Sequence, residues 1–319
     1  MLFLSEADVA ALLPMPKAID LMREAFRGLA DRTSQNQPRR RLILPAGSIL
    51  HQLAGAHGKY FGAKLYSTHA LHGAHFVVVL YDAETARPLA ILEANHLGQI
   101  RTGAASGLAT DLLARKDVRA LGVIGSGFQA ETQVEAVLAV RPIERIKVWS
   151  RTGENRHRFA EECSRRFGVP TAAVVSAEES VSGADVVITA TSAGEPVFEA
   201  GWVKPGAHIN AAGSNHPQRR ELPAEILEAA SLIAVDSLEQ ARLEAGDLLL
   251  GMGEEFWKDS RVVELSSLGE STGAIHARLD RITIFKSVGL GVEDIAAAGF
   301  LYEEALRAGK GQDLPLFQA

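Results

Sequence analysis

Two groups of residues in this chain have types and spacing suited to chemistry: a glycine-rich turn that fits phosphate, and cations that fit a carboxylate. Gly125, Gly127 and Ala130 in GVIGSGFQAETQ directly follow the apolar run ALGVI. Gly125 would make the tight turn and Gly127 would let the backbone approach a pyrophosphate. Ala130 would let the helix pack close to the sheet. Amides and dipole at the helix start then hold the phosphates, with Phe128 and Gln129 in the same turn. A lone Gly-x-Gly-x-x-Ala is also an ordinary tight turn. Here it has the strand–turn–helix setting that dinucleotide binding requires, and these residues are read as a cofactor site.

The next strand, IKVW, ends at Trp149-Ser150-Arg151-Thr152. Sites for NAD carry an acid at this point to accept hydrogen bonds from the adenosine ribose diol. The first acid here is Glu154, already inside the expected helix. A carboxylate would repel a 2′-phosphate, whereas Arg151 with the Ser150 and Thr152 hydroxyls would bind it. The expected cofactor is NADP(H), with NAD(H) as the alternative.

Lys64 stands at the end of an expected strand among glycines, and Arg101 immediately precedes an expected helix start. Arg101 would then join a planar donor fork to free helix amides, which suits a carboxylate. Solvated surface charge is the alternative for both. His69, His72 and His75 recur in HALHGAH, but Gly73 interrupts a helix and no acid in that segment completes a ligand set. An exposed or entrance loop is expected there, and no metal. Cys163 lies within an expected helix without an adjacent base and reads as a packing residue. Thr189 and Thr191 follow a parallel strand, where doubly wound sheets place ligands.

The elements that must position these groups fall into two styles. The first thirty residues suggest two helices, with a capping box at Ser5 and Asp8 and with Pro16 in a first turn. Short β-rich runs between residues 39 and 93 suggest an antiparallel or mixed sheet, and a helix of small residues is expected from 102 to about 114. From residue 120 apolar strands alternate with helices, which indicates a parallel sheet covered on both faces. A last helix is expected from 292 to about 307. The fold class is α/β: a Rossmann-like doubly wound domain over 115–291, with a smaller α+β substrate and dimerisation domain from 1–114 and 292–319.

Composition narrows the function. Of 319 residues 47% are hydrophobic and 23% charged, which excludes disorder for the whole chain. Acids outnumber Lys and Arg by 39 to 33, so there is no basic footprint for nucleic acid. One cysteine rules out an intrachain disulfide, no run approaches membrane-spanning length, and a cytoplasmic enzyme or small-ligand binder is expected.

Several segments together resemble the ornithine cyclodeaminase/mu-crystallin family: Gly62-Ala63-Lys64-Leu65, Ile100 to Ser106, GSGFQA, and Ala212-Gly213-Ser214-Asn215 leading to Arg220-Glu221-Leu222. Val235-Asp236-Ser237, Glu244 to Leu248 and Phe285-Lys286-Ser287-Val288-Gly289 continue the series in the family's order. The resemblance implies a homodimer paired through the N-terminal domain, with the last helix returning to that domain. It also implies a nicotinamide cofactor, a small α-amino, α-keto or α-imino acid substrate, and a place in amino-acid metabolism. It assigns Lys64 and Arg101 to the substrate carboxylate and its α-substituent, and Arg40 to a third carboxylate contact, although Arg39 and Arg41 leave the register open. It places Thr191 and Ser287 against the cofactor.

One position departs from the pattern. Cyclodeaminases of the family and its alanine dehydrogenase carry an Asp where this chain has Asn215, to handle the proton of the amino group or attacking water. An amide cannot serve as that base. Reduction of a cyclic imine asks for less, since its nitrogen can arrive protonated, and the family's ketimine reductases also lack the Asp. The expected activity is NADPH-dependent reduction of 1-pyrroline-2-carboxylate or 1-piperideine-2-carboxylate to proline or pipecolate. A cyclodeaminase using bound NAD, and a crystallin-like NADPH-binding protein without turnover, are the alternatives.

Overall fold

A computed structural model of the protein describes residues 1–269 and 281–316. The chain opens with β1 (Leu2–Leu4), α1 (Glu6–Leu12), α2 (Met15–Ala30), β2 (Gln35–Asn36) and β3 (Arg40–Ile43). The long strands β4 (Ile49–His57), β5 (Tyr60–His69) and β6 (Gly73–Asp82) follow, then β7 (Pro88–Glu93) and α3 (Asn95–Leu113). Next come β8 (Ala120–Ile124), α4 (Phe128–Val140), β9 (Arg145–Trp149), α5 (Gly153–Phe167), β10 (Thr171–Ala173), α6 (Ala177–Val181) and β11 (Val186–Thr189). After β12 (His208–Ala211) the chain forms α7 (Ala224–Ala229), β13 (Leu232–Val235), α8 (Leu238–Glu244), α9 (Gly246–Gly251), β14 (Val262–Glu264) and β15 (Thr283–Lys286). Helix α10 (Gly291–Ala308) and β16 (Gln312–Asp313) close it. None of the described helices is long and apolar enough to cross a membrane.

Two compact units result, one of residues 1–101 with 289–319 and one of residues 102–288. The division runs through α3, between Arg101 and Thr102, instead of following residue 114, and it precedes Gly289 instead of Val292. Packing explains the first difference. Beyond Thr102 the helix is pressed against α4, where a Cβ on Gly103 would lie 2.5 Å from the Thr132 carbonyl, and Gln133 donates to the Thr102 carbonyl at 3.2 Å.

In the first unit the sheet order is β16-β1-β7-β6-β5-β4-β2, with β3 also paired to β4. It is mixed: β1 runs parallel to β7, and the neighbours from β7 to β2 are antiparallel. The capping box at Ser5 and Asp8 is present. Helix α10 lies against β4 with no side chain between them, since Cβ atoms on Gly55 and Gly291 would run into the Val292 and Ala54 backbones at 2.5–2.6 Å.

Helix α3 begins at Asn95, seven residues before the expected start. Its first amides are held from far away in sequence. Glu6 accepts from the Asn95 and His96 amides at 2.7 and 2.8 Å, and Glu93 accepts from the Glu6 amide at 2.8 Å. Arg141 satisfies the other end, donating to the Thr110, Asp111, Ala114 and Arg115 carbonyls at 2.8–3.0 Å.

The second unit holds a parallel sheet of order β10-β9-β8-β11-β12-β15-β13-β14. Strands β8, β11, β12 and β15 are buried along their whole length, as a sheet covered on both faces requires. Val187 packs with Ile209, Ile233 and Ile284, while Val186 and Ile188 pack with Leu121, Val123 and Ile146. The order runs outward from β8 in both directions, so the switch in winding falls between β8 and β11. Ligands of open α/β sheets bind at the strand C-termini at such a point.

Candidate functional site

In the first unit five charged side chains converge out of water. Lys64 points from β5 toward α10, and its Nζ lies 2.9 and 2.8 Å from the two carboxylate oxygens of Asp294. Arg101 gives its Nε to Asp294 at 3.0 Å and its Nη1 to Glu293 at 2.6 Å. Lys64 is 3% exposed, Arg101 5%, and both acids 0%. Arg39, also buried, donates from Nη2 to the Gly289 carbonyl at 3.2 Å. Gly289 has φ of +78°, and a Cβ there would strike the Arg101 guanidinium. Glycine is therefore required on both grounds. Two guanidinium groups and an ammonium gathered out of water are the donor types that suit a carboxylate.

One expectation is corrected here, and the three adjacent arginines separate by exposure. Arg101 lies within α3, not before its start, so its own backbone amide is part of the helix and only the guanidinium is offered. Arg40 is exposed on β3 while Arg39 is buried, because successive side chains of an extended segment face opposite ways. Arg39 lies near enough to Lys64 for its charge to act on the ammonium. Burial, with the Arg101 and Arg39 guanidinium groups, pushes the Lys64 ammonium down to about 8 against the opposing pull of Asp294.

In the second unit a cleft of about 370 Å³ opens at the C-terminal ends of β8, β9 and β11. Gly125 to Gly127, Trp149 to Thr152, Asn155 and Ala190 to Ala193 line it. Gly125 has φ of +113°, and a Cβ there would collide with the Ala190 carbonyl. Gly127 is the N-cap of α4 and contributes no side-chain cap; nothing lies within 4 Å of where its Cβ would stand. A bare helix start facing open space fits a pyrophosphate. Phe128 is exposed and Gln129 half-buried at that start, while Ala130 is buried. The Ser150 hydroxyl accepts from Ser126 at 2.8 Å, and Arg151 and Thr152 are exposed at the mouth. Arg156, which was not singled out in the sequence, reaches back from α5 to the Ser150 carbonyl at 3.0 Å.

Thr191 lies at the cleft wall, and its hydroxyl donates to Glu221 at 2.7 Å. Burial pushes the Glu221 carboxyl up, with Lys286 opposing. Thr189 is fully buried in β11. Ser287 is buried and donates to Asp236 at 3.3 Å. Asn215 is exposed in the turn after β12. His69, His72 and His75 stand on and beside the β5–β6 hairpin tip, and among the described residues no group of three metal-ligating side chains gathers. Burial pushes the Cys163 thiol up to about 12, which makes it a poor nucleophile.

The model of the ornithine cyclodeaminase/mu-crystallin family matches residues 1–309. A delta(1)-pyrroline-2-carboxylate reductase of Bacillus cereus is 42% identical over 237 residues, 74% of this chain and 73% of that protein. The ketimine reductase mu-crystallin of Mus musculus is 38% identical over 226 residues, 71% of this chain and 68% of that one. Among solved structures, delta(1)-pyrroline-2-carboxylate reductase of Thermococcus litoralis in complex with NADH and L-proline superposes with a TM-score of 0.92 at 33% identity. The match covers 98% of this chain and 100% of that one.

The charge cluster predicts an unusual titration. Followed by nitrogen NMR of lysine ammonium groups, with Lys64→Arg to assign the signal, Lys64 should be protonated below pH 7 and lose its proton near pH 8. A midpoint at the ordinary lysine value, about 10.4, would contradict the desolvation of Lys64.

Proposed function

The chain belongs to the ornithine cyclodeaminase/mu-crystallin family, and on that premise we propose that it is a nicotinamide-dependent reductase of small cyclic α-imino acids. Its substrate is 1-pyrroline-2-carboxylate or its six-membered homologue, and its product proline or pipecolate. The observation that carries this reading is the buried cluster of Arg39, Lys64 and Arg101, whose guanidinium and ammonium donors suit a carboxylate. Relatives named as reductases of imino acids support it, as does a structural neighbour holding NADH and L-proline.

The bound dinucleotide supplies the hydride. Everything else falls to the side chains. The guanidinium groups of Arg101 and Arg39 bind the substrate carboxylate, and Asp294 and Glu293 fix where the Arg101 fork points. Lys64 holds a proton at Nζ at neutral pH and adds a third positive charge beside that carboxylate. Loss of this proton above about pH 8 weakens substrate binding. The imine nitrogen arrives protonated, its carbon accepts the hydride, and no proton has to be removed from an amine. Asn215, an amide where a base would be needed for amine oxidation, agrees with reduction and against cyclodeamination. Purified protein given NADPH and 1-pyrroline-2-carboxylate should form proline, while ornithine with NAD should release little ammonia. Rapid ammonia release from ornithine would sink this reading.

The preferred cofactor is NADP(H), supported by Arg151, exposed at the mouth with Ser150 and Thr152, and by the lack of an acid there. Charge-assisted hydrogen bonds worth about 1.5–3 kcal/mol each are enough for at least tenfold preference. Fluorescence titration with NADPH and NADH measures it, and equal or reversed affinities refute the role of Arg151.

Arg101→Ala should leave dinucleotide binding nearly intact and lower kcat/KM by roughly 30- to 1000-fold, about 2–4 kcal/mol of transition-state stabilisation. Lys64→Ala acts in the same direction. Near-normal kinetics in the Arg101 variant would remove the cluster from the mechanism.

The protein is further proposed to be a cytoplasmic homodimer paired through its first unit. Leu42, Ile43 and Leu44 on and after β3 are 57%, 67% and 46% exposed, an apolar edge that pairing would cover.

A further inference from the structure

Three fully buried ionisable side chains in the second unit take no direct part in the proposed reduction: Glu221, Asp247 and Lys286, each 0% exposed. They come from separate segments of the chain and meet beneath the turns that follow β11 and β12. The Glu221 carboxylate holds both turns at once. One oxygen accepts from the Thr191 amide and hydroxyl, each at 2.7 Å, and the other accepts from the Gly213 amide at 2.8 Å. The turns lie so close that a Cβ on Gly213 would run into the Thr191 backbone and the Glu221 carboxylate itself.

Glu221 is in turn fixed by the other two. Asp247 accepts from the Glu221 and Leu222 amides at 2.5 and 2.9 Å, and its second oxygen lies 2.8 Å from Lys286 Nζ. Lys286 also donates to the Ser214 carbonyl at 2.6 Å. The residue after Ser214 is Asn215, and the turn bearing Thr191 forms a wall of the dinucleotide cleft. Burying three charges is costly unless each is fully engaged, and a Leu-rich core would hold two turns together without that cost. Three directed donors on one carboxylate instead set the two turns at a defined separation.

We propose that Glu221 is a positioning residue for the reduction: its carboxylate ties the cofactor-lining Thr191 turn to the Asn215-bearing turn, with Asp247 and Lys286 locking it in place. The inference rests on the proposed reductase function, and so the wild-type protein is the first arm of its test. If wild type neither binds NADPH or NADH nor reduces 1-pyrroline-2-carboxylate, the functional reading fails and this inference falls with it.

If wild type is active, Glu221→Gln separates the two. An amide keeps the shape but can accept on one side only, so one turn loses its partner. Dinucleotide Kd should rise and kcat fall, each by about tenfold, at temperatures well below the melting midpoint. Thr191→Val removes a single hydroxyl donor and should act in the same direction by about three- to tenfold. If both changes act through one contact, the double variant should be little worse than Glu221→Gln alone. A role confined to stability would lower the melting midpoint while leaving Kd and kcat within about twofold of wild type, and that outcome overturns the proposal. Should Glu221→Gln fail to fold, Thr191→Val decides: unchanged Kd and kcat in that variant also overturn it.

Discussion

The buried ion cluster around Asp294 is the constraint from which the architecture of the first unit follows. Two cations cannot be taken out of water without partners, and the partners of Lys64 and Arg101 are Asp294 and Glu293, at the start of the last helix. The chain must therefore return to its first unit after building the second. Helix α10 supplies the anions and also covers the long strands β4 and β5, so one element neutralises the site and completes the core. Asp294 touches both cations, and its position fixes how far apart they stand.

The second unit solves a different problem with similar means. A parallel sheet leaves the ends of its strands as turns, and turns at a ligand cleft have to be held without filling it. Buried carboxylates do this: Glu221 for the turns after β11 and β12, and Asp236, which accepts from the Val288 amide at 2.6 Å, for the turn after β15. Each acceptor engages backbone amides of these turns. The cleft keeps a bare helix start at Gly127.

Signals confined to a short stretch of chain were legible in the sequence. The turn at Gly125 and Gly127, the apolar parallel strands, the capping box at Ser5 and the small residues of α3 each have a local physical cause. What was hidden depended on distant partners. Glu6 accepts from the first amides of α3 across 89 residues, a partner that no local spacing reveals, so the sequence places the helix start after Arg101. The choice among three adjacent arginines depended on which side faced inward, and only pairing with the rest of the sheet decides that. Lys286 and Asp247 stood out as parts of a motif, but no spacing along the chain joins them to Glu221.

The seam between α10 and β4 has a consequence for how such a protein can diverge. Backbone meets backbone at Gly55 and Gly291. A single methyl group added at either would have to lift the helix, and Asp294 and Glu293 with it. Mutational drift is therefore blocked at positions that touch no ligand, for reasons of steric clearance alone. Change in the size of the molecule accepted has to come from side chains off this seam, whose replacement leaves the helix seated. Tolerance to substitution in this fold is set by how near two backbones run, and not by distance from the chemistry.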